Sequence, residues 1–379
     1  MDATVSRKVL TQGLQDVRSI IEKRNTLPIL STVLIEAEAP DRITLRSSNL
    51  EMHWRVSLAG TVTESGSLAL DADKLWRIVK SIPKGVNISL RDQGDGWAAI
   101  DAGGAKFRLP FLPPGDFPAF PATGTDEWRE VHSTVLHGMI DRVYHAIANS
   151  PEAHRRALTG ALLVHEGETL RLTGTDGHRL ALVETSFASG TESPLKVIVP
   201  RAAVKELCKL AGAKKRNSEG MVRFQWRPPD DIAFERDGKT LVTRVIDDRF
   251  PDYTHVIPKS FKREIVVDRQ ALIAAITQMC SLTHERTKPI VFHLCNGKLN
   301  IGSNSPELGD AGCSLNVAGD GSHDLFEIGL NGGLLLDILA GVEAKDVRLQ
   351  FTEPLGAMRI VPAEQGEYDE RYLLMPMRI

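Results

Sequence analysis

A threefold internal repeat constrains the fold of this chain more than any other feature. Three kinds of segment recur in the same order: an alternating strand that ends in a polar turn, a short strand that runs into an amphipathic helix, and a hairpin-like pair of strands. Corresponding positions lie about 127 to 133 residues apart, which is the size of a domain. Since 379 residues exceed what one hydrophobic core usually serves, we predict one domain written three times.

Each copy of the repeat contains two predicted helices and several strands. The strands that end in turns are predicted at 43–49, 170–176 and 299–305, and the helices that follow short strands at 73–82, 201–210 and 332–339. Each copy also opens with a helix, at 6–21, 133–148 and 268–280, and strand pairs are predicted at 86–109, 222–245 and 347–360. Because the strands alternate between apolar and polar residues, one face of each sheet would pack on the helices. The fold class is therefore α+β, with two helices packed on antiparallel sheets in each domain.

Segments rich in proline and glycine mark the boundaries between the copies. The first lies at 113–125 and the second at 250–259. The predicted domains are accordingly an N-terminal domain at 1–126, a central domain at 127–259 and a C-terminal domain at 260–379.

The composition, with 42% hydrophobic and 25% charged residues, is typical of a soluble protein. No apolar run approaches the roughly 18 residues that a membrane span needs, and the first residues are too polar for a signal peptide. A cytoplasmic location is therefore expected. The cysteines are widely spaced and form no Cys-x-x-Cys pair, so we predict no metal site and no disulfide framework.

Basic residues concentrate on one face of two corresponding helices, although the formal net charge is −3. The first face carries Lys74, Arg77 and Lys80, and the second carries Arg201, Lys205 and Lys209. The third counterpart, at 334–339, has no basic residue. Such faces are commonly solvated surface. If they instead line one concave surface, they would contact the phosphates of duplex DNA without reading its bases.

Short motifs that occur in order along the whole chain resemble the β sliding clamps of bacterial DNA polymerase III. They are Arg24-Asn25-Thr26-Leu27-Pro28-Ile29-Leu30, Thr175-Asp176-Gly177-His178-Arg179-Leu180, Val197-Ile198-Val199-Pro200-Arg201, Asp248-Arg249-Phe250-Pro251-Asp252-Tyr253 and Met375-Pro376-Met377-Arg378-Ile379. The resemblance implies a DNA-clamp fold in which two chains join head to tail as a homodimer. Their domains would form a closed ring, with helices lining the hole and a continuous sheet outside.

The function that this resemblance implies is that of a processivity factor without catalytic residues. The ring would encircle double-stranded DNA regardless of sequence, slide along it, and tether the catalytic subunit of DNA polymerase III. The clamp loader and other proteins with a clamp-binding motif are further implied partners. Neither a cofactor nor a metal ion is expected, although a separate loader would use ATP to open the ring.

The resemblance also implies a peptide-binding cleft between the second and third domains. Compared residue by residue, the cleft comprises Leu158, Thr175, Gly177, His178, Arg179, Leu180, Pro251, His255, Val256, Leu373, Leu374, Met375, Pro376, Met377 and Arg378. Its leucine, valine, proline and methionine side chains would form an adaptable apolar pocket for a leucine or phenylalanine of the partner. His178 and Arg179 would supply a polar rim. His255 stands where relatives often carry arginine, so the charge of this rim would differ.

DNA-facing and dimer-forming residues are predicted at separate positions. The expected DNA-facing residues are Arg24, Lys74, Arg77, Lys80, Arg201, Lys205 and Lys209. Asp73 replaces a basic residue and Glu152 a glutamine of the family pattern, which leaves DNA contact at both points open. Phe107 in the first domain and Leu282 in the third fall where the family's dimer contacts lie.

Two other functions remain open on the sequence alone. Asp176 and His178 could serve a hydrolase, although no nucleophile or third ligand accompanies them at a suitable spacing, and a polar turn after a strand accounts for both. A monomeric repeat-type scaffold that binds other proteins would share the domain organisation but would not close a ring.

Overall fold

A computed structural model describes residues 1–22, 26–122, 127–149, 155–188, 193–212, 220–283, 288–305, 307, 309–319 and 322–378. The six α-helices in these ranges are α1 (Arg7–Val17), α2 (Ala72–Ser81), α3 (Ser133–Val143), α4 (Arg201–Ala211), α5 (Arg269–Cys280) and α6 (Gly332–Gly341). All six predicted helices are therefore present. The opening helices of the first two domains are shorter than predicted, because each changes into a 3₁₀ turn, Arg18–Ile20 or Tyr144–Ala146. None of the helices in these ranges is long and apolar enough to cross a membrane.

Apart from short 3₁₀ turns, the remaining regular structure consists of strands that pair in antiparallel fashion. In the N-terminal third they are β1 (Asp2–Ser6), β2 (Thr32–Glu38), β3 (Arg42–Ser48), β4 (Met52–Ala59), β5 (Thr61–Glu64), β6 (Gly66–Asp71), β7 (Asn87–Asp92), β8 (Trp97–Ala102) and β9 (Ala105–Leu112). The central third contains β10 (Arg129–His132), β11 (Gly160–Glu166), β12 (Thr169–Thr175), β13 (Arg179–Ser186), β14 (Leu195–Pro200), β15 (Met221–Arg227), β16 (Asp231–Arg236) and β17 (Lys239–Arg244). The C-terminal third contains β18 (Arg263–Asp268), β19 (Pro289–Cys295), β20 (Lys298–Ser305), β21 (Gly309–Asn316), β22 (Ala318–Gly319), β23 (Phe326–Asn331), β24 (Asp346–Phe351), β25 (Met358–Pro362) and β26 (Asp369–Leu374).

The first of two compact units comprises Met1–Ser133 and Lys209–Val245. It is built on a sheet of 13 strands in the order β10-β15-β16-β17-β4-β3-β2-β6-β9-β8-β7-β1-β5. Strand β4 of the N-terminal domain pairs with β17 of the central domain, from Met52↔Thr243 to Val56↔Lys239. The sheet therefore continues from one repeat into the next.

Helix α1 lies close against the sheet of this first unit. Its buried face carries Leu10 and Leu14, and Gly13 permits the close approach to the strands. A Cβ at Gly13 would lie 2.9 Å from side-chain atoms of both Leu45 and Leu58. The glycine is therefore required by packing rather than by backbone conformation.

The second unit comprises Thr134–Cys208 and Ile246–Ile379. Its larger sheet has the strand order β14-β11-β12-β13-β26-β25-β24-β18-β22, and its smaller sheet has the order β21-β20-β19-β23. Strand β13 of the central domain pairs with β26 of the C-terminal domain, from Arg179↔Leu374 to Glu184↔Asp369. A second pair of repeats is thus joined by main-chain hydrogen bonds.

Side-chain caps explain where several of the helices begin. A side-chain oxygen of the residue before the helix accepts a hydrogen bond from a backbone N–H of the first turn, which supplies a partner that the helix itself lacks. The capping residues are Ser6 for α1, Asp71 for α2, Asp268 for α5 and Asn331 for α6.

An arginine at the first position of one helix in each domain donates to a carbonyl at the end of the other helix. Arg7 Nε lies 3.2 Å from the Val79 oxygen, and Arg269 Nη1 lies 3.1 Å from the Leu339 oxygen. In the central domain the arginine, Arg201, begins the second helix, α4, and the carbonyl follows the first helix, α3. Arg201 Nη1 lies 3.0 Å from the carbonyl oxygen of Tyr144, just beyond α3. A cation at a helix C-terminus also interacts favourably with the helix dipole.

Candidate functional site

A tight turn between β12 and β13 shapes one side of the candidate site. Oδ1 of Asp176 accepts hydrogen bonds from the backbone N–H groups of His178 and Arg179, at 2.9 and 3.0 Å. Gly177 has φ of +89°, a conformation that favours glycine. A Cβ at Gly177 would also lie 2.9 Å from the Arg155 guanidinium. Asp176 thus serves the turn, as the polar-turn interpretation of the sequence predicts.

The floor of the site is an apolar cluster where β13 pairs with β26. Leu180 is the register partner of Leu373, so their side chains lie on the same face of the sheet. Leu182 completes the buried cluster, and the partly buried Tyr253 and Ile257 pack against it. The alternation of side chains along the two paired strands brings these leucines to one face of the sheet.

The segment after β17 forms a second wall of the site. Oδ2 of Asp248 accepts a hydrogen bond of 3.1 Å from the backbone N–H of Ala157, which ties this segment to the 3₁₀ turn that precedes β11. Phe250 belongs to a buried cluster with Ala157, and its ring meets that of Tyr253 edge to face. These contacts place Pro251 and Val256 beside the leucine floor.

The walls and the floor enclose an open pocket of about 450 Å³ in the second unit. Nine of the predicted cleft residues line it: Leu158, Thr175, Gly177, Arg179, Leu180, Pro251, Val256, Leu373 and Met375. Val256 and Met375 leave 48% and 41% of their surface exposed, which is unusual for large apolar side chains. The pocket volume falls in the range of small-ligand sites, and its floor is apolar.

The other six predicted cleft residues do not line this pocket. They are His178, His255, Leu374, Pro376, Met377 and Arg378. Leu374 is buried because it alternates with Leu373 along β26 and so faces the other side of the sheet. His178 is exposed, and its carbonyl accepts a hydrogen bond of 2.9 Å from the Met375 N–H. His255 is exposed, with Nε2 3.2 Å from Oδ2 of Asp252.

Six further residues line the pocket without having been predicted there: Arg155, Ala157, Asp248, Arg249, Asp252 and Tyr253. Four of them belong to the 248–253 motif that carries the family resemblance, so the motif itself was the available signal. Arg155 and Ala157 come from a 3₁₀ turn and the residue before it, which no strand or helix pattern marks.

Charged groups surround the apolar floor, and several are paired within the protein. Nε of Arg179 lies 3.0 Å from Oδ2 of Asp176, and its Nη1 lies 2.7 Å from Oδ2 of Asp337 on α6. Hydrogen bonds from Thr254 lower the pKa of the Asp252 carboxyl. Behind the turn, burial together with the nearby charge of Arg179 lowers the pKa of His145 to about 4. His145 is therefore neutral at neutral pH.

Comparison with known proteins identifies the family. The N-terminal, central and C-terminal domains of the DNA polymerase III beta subunit match residues 1–121, 130–252 and 254–378. The beta sliding clamps of Caulobacter vibrioides (strain NA1000 / CB15N) and Pseudomonas putida are 32% and 33% identical to the chain, over 100% of both sequences in each comparison. The crystal structure of the DNA polymerase III subunit beta from Pseudomonas aeruginosa superposes with a TM-score of 0.92 at 31% identity, over 100% of both chains. The chain belongs to the beta sliding clamp family.

Membership of the beta sliding clamp family confirms three of the sequence-based predictions. The fold is the three-domain clamp fold, with helices and antiparallel sheets in each domain. The function is that of a DNA sliding clamp, which is a processivity factor rather than an enzyme. The hydrolase alternative is therefore wrong.

Three predicted DNA-facing residues of this clamp lie on the exposed face of α2. Lys74, Arg77 and Lys80 are exposed, while Leu75 and Val79 of the same helix are buried. The half-buried Trp76 separates two cations, with Arg18 Cζ 4.7 Å and Lys80 Nζ 4.8 Å from its ring centroid. Asp73, the departure from the family pattern, forms an ion pair with Arg18.

The basic stripe on α4 is divided between two roles. Lys205 and Lys209 are exposed. Arg201 is half-buried, donates to carbonyls near the end of α3, and stacks on the ring of Tyr144 with Cζ 4.2 Å from its centroid. Arg201 therefore holds the two helices of the domain together as well as carrying charge. Arg24 and Glu152 lie outside the described residues.

The two predicted dimer residues of this clamp are half-buried. Phe107 lies on β9, and Leu282 follows α5. Strand β9 pairs with β8 along residues 105–110, but with β6 only at Phe111 and Leu112. Most of one edge of β9 thus lacks a strand partner among the described residues.

Proposed function

We propose that two copies of this chain join head to tail into a closed ring that encircles double-stranded DNA. The ring slides along the duplex and tethers the replicative polymerase, so that the polymerase remains on its template through topological linkage. Membership of the beta sliding clamp family along the full chain supports this proposal. The function is carried out in the cytoplasm, where the chromosome is replicated.

The single observation that carries the proposed tethering role is the pocket at the β13–β26 junction. Its leucine floor and its exposed valine and methionine suit one or two apolar anchors of a short linear peptide. The DNA polymerase III catalytic subunit, the clamp loader and other proteins with a clamp-binding motif would compete for this pocket. Charged residues at the rim, among them Arg155 and Arg249, would orient the peptide main chain and its polar side chains.

The exposed cations on α2 and α4 support the proposed contact with DNA. Lys74, Lys205 and Lys209 are exposed cations on these two helices, and cations of this kind contact phosphates rather than base edges. Contacts of this kind are weak, depend on salt and do not distinguish sequences. A sliding protein needs such contacts, because specific base recognition would stop it.

Open strand edges in the first and third domains support the proposed dimer. Strand β9 has a largely open edge near Phe107, and β21 pairs only with β20 within the described part of the chain. Exposed strand edges are templates for pairing with another chain.

We place the domain boundaries at 1–126, 127–259 and 260–379, which the three family matches support.

Sedimentation equilibrium tests the proposed assembly against a monomeric scaffold. The ring predicts a mass near twice the 41.6 kDa of the chain at micromolar concentration. Phe107→Asp places a charge at the proposed interface and is expected to shift the mass towards 41.6 kDa. A wild-type chain that remains monomeric throughout this concentration range would overturn the proposed ring.

A further inference from the structure

Three side chains with metal-binding atoms come together where α4 packs beside α3. His137 and Asp141 lie one helical turn apart on α3, with Nδ1 3.5 Å from Oδ2. Sγ of Cys208, on α4, lies 3.9 Å from Oδ1 of Asp141. One donor atom from each of the three side chains lies within 4.8 Å of the other two. None of the three lines the peptide pocket.

The spacing of these donor atoms is close to that of a tetrahedral zinc site. Metal bonds of about 2.3 Å to sulfur and about 2.0–2.2 Å to nitrogen or oxygen place neighbouring ligands about 3.3–3.7 Å apart. The two distances to Asp141, 3.5 and 3.9 Å, need to change by only a few tenths of an ångström. Rotation of the three side chains within their rotamer wells accommodates such a change.

The burial of the His137 imidazole is a further indication. Its side chain is only 12% exposed, and Nδ1 lies 3.5 Å from Asp141 Oδ2 without forming a hydrogen bond to any residue that the structure describes. Buried polar atoms in native proteins nearly always have a partner. The nitrogen is on the side of the ring that faces Asp141, so a ligand held between the two helices would satisfy it.

We propose that His137, Asp141 and Cys208 bind Zn²⁺, with water as the fourth ligand. Nitrogen, oxygen and sulfur donors together suit a borderline-soft transition-metal ion, whereas Mg²⁺ and Ca²⁺ take oxygen ligands. On binding, the Cys208 thiol releases its proton to solvent and the thiolate forms the bond to the metal. The ion, the thiolate and the carboxylate have no net charge together, so the basic face of α4 keeps its positive sign.

The bound ion would connect the two helices of the central domain at a second point. Arg201, at the start of α4, already donates to carbonyls just beyond the end of α3. Cys208 lies two turns further along α4, where the metal would link it to the middle of α3. The ion would therefore stabilise the folded central domain, because it binds that state and not the unfolded chain.

Co²⁺ binding to the metal-free, full-length protein tests the site. Cobalt replaces zinc and gives a thiolate-to-metal absorption band only when a cysteine is coordinated. Cys208→Ser and His137→Ala are compared with Cys280→Ser, a matched control at another half-buried helical cysteine. Circular dichroism confirms that each variant is folded, and addition of Zn²⁺ tests whether the cobalt band is displaced.

Wild type and Cys280→Ser are expected to bind one Co²⁺ per chain with a thiolate band that Zn²⁺ abolishes. Cys208→Ser should lose the band, and His137→Ala should bind the metal at least about 10-fold more weakly. Zn²⁺ should raise the melting temperature of wild type but not of Cys208→Ser. The absence of a thiolate band in wild type, its retention in Cys208→Ser, or its loss in Cys280→Ser would each overturn the proposed site.

Discussion

Arg179 forms a bridge from the turn before β13 to helix α6, where its Nη1 lies 2.7 Å from Oδ2 of Asp337. The same guanidinium contacts Asp176, so one cation at the edge of the pocket is shared by two carboxylates. A rim arginine without such partners would suit a carboxylate of a partner peptide. In this chain the guanidinium is already paired with two carboxylates, and these contacts hold the wall of the pocket in place.

The two partners of this bridge are expected to differ in importance. The Arg179 side chain is only 10% exposed and contacts both carboxylates. Arg179→Met removes these contacts and should lower the free energy of unfolding by about 1–3 kcal/mol. Asp337→Asn affects a group that is 54% exposed and should cost less than about 1 kcal/mol. Urea denaturation measures both. Equal costs for the two variants would show that Arg179 is not a positioning residue.

Met375 offers the cleanest test of the pocket, because its side chain is partly exposed and its truncation should not damage the core. Met375→Ala is expected to weaken the binding of a labelled clamp-binding-motif peptide by about 10-fold. This factor corresponds to the loss of roughly 1.4 kcal/mol of apolar contact. Fluorescence anisotropy measures this affinity.

Leu355→Ala is the matched control for Met375→Ala. Leu355 is also an exposed apolar residue, with 67% of its surface accessible, but it does not line the pocket. Its truncation should leave peptide affinity unchanged. If both variants bind the peptide as wild type does, the pocket is not the peptide site.

Arg142 is the central member of a buried ionic network between α3 and β26. Nε lies 2.7 Å from Oε1 of Glu370, and Nη2 lies 3.0 Å from Oε2 of Glu343. Burial by itself would lower the pKa of Arg142, but the hydrogen bonds and charges of the two carboxylates outweigh burial and raise it. Arg142→Met would leave the carboxylate of Glu370 buried without its cation.

We expect Arg142→Met to reduce the free energy of unfolding by about 3–5 kcal/mol. Arg42→Met, which breaks an exposed ion pair with Glu38, should change the free energy of unfolding by less than about 1 kcal/mol. Chemical denaturation followed by circular dichroism compares the variants. A small effect at Arg142, similar to that at Arg42, would mean that the network does not stabilise the unit.

His145 predicts a loss of stability in mild acid. Its pKa is lowered from 6.5 to about 4 by burial and by Arg179, while Asp337 and Asp176 act in the opposite direction. Between these values the unfolded chain binds a proton that the native chain does not, so the free energy of unfolding falls as the pH decreases from 6.5 towards 4. The full loss from this residue is roughly 3 kcal/mol.

The measurement is the free energy of unfolding at several pH values for wild type and His145→Leu. The variant should have the shallower pH dependence, whatever its stability at neutral pH. His255→Gln, at an exposed position, should keep the wild-type slope. A slope for His145→Leu that equals that of wild type would rule out His145 as a source of acid sensitivity.

The sequence predicted the six helices of the described residues well because each repeat carries its own periodic pattern. It did not reveal contacts that depend on tertiary structure. Arg7, Arg201 and Arg269 each donate to a carbonyl near the end of the other helix of their domain. Arg7 and Arg269 lie on the first helix of their domains, whereas Arg201 lies on the second, so an alignment of the repeats does not match the three arginines. His137 and Cys208 are separated by 71 positions, which no local metal-binding spacing detects.

The candidate pocket was predicted only in part, because some of its residues are brought there by tertiary contacts. Its residues on β13 and β26 were expected from the resemblance to the sliding-clamp family, and most of them line the pocket. Leu374 does not, because a predicted stretch of consecutive residues ignores the alternation of faces along a strand. Arg155 and Ala157 enter the pocket from an irregular segment, whose course depends on the contact of Ala157 with Asp248.

Retention on DNA tests the central claim, that this chain acts as a closed ring, most directly. The clamp is placed on nicked circular DNA by its loader with ATP, separated from free protein by gel filtration, and the DNA is then cut once. We predict that the clamp remains with the circle at moderate salt and is lost from the DNA after cutting, because linkage rather than affinity retains it. Equal retention on circular and linear DNA would contradict encirclement.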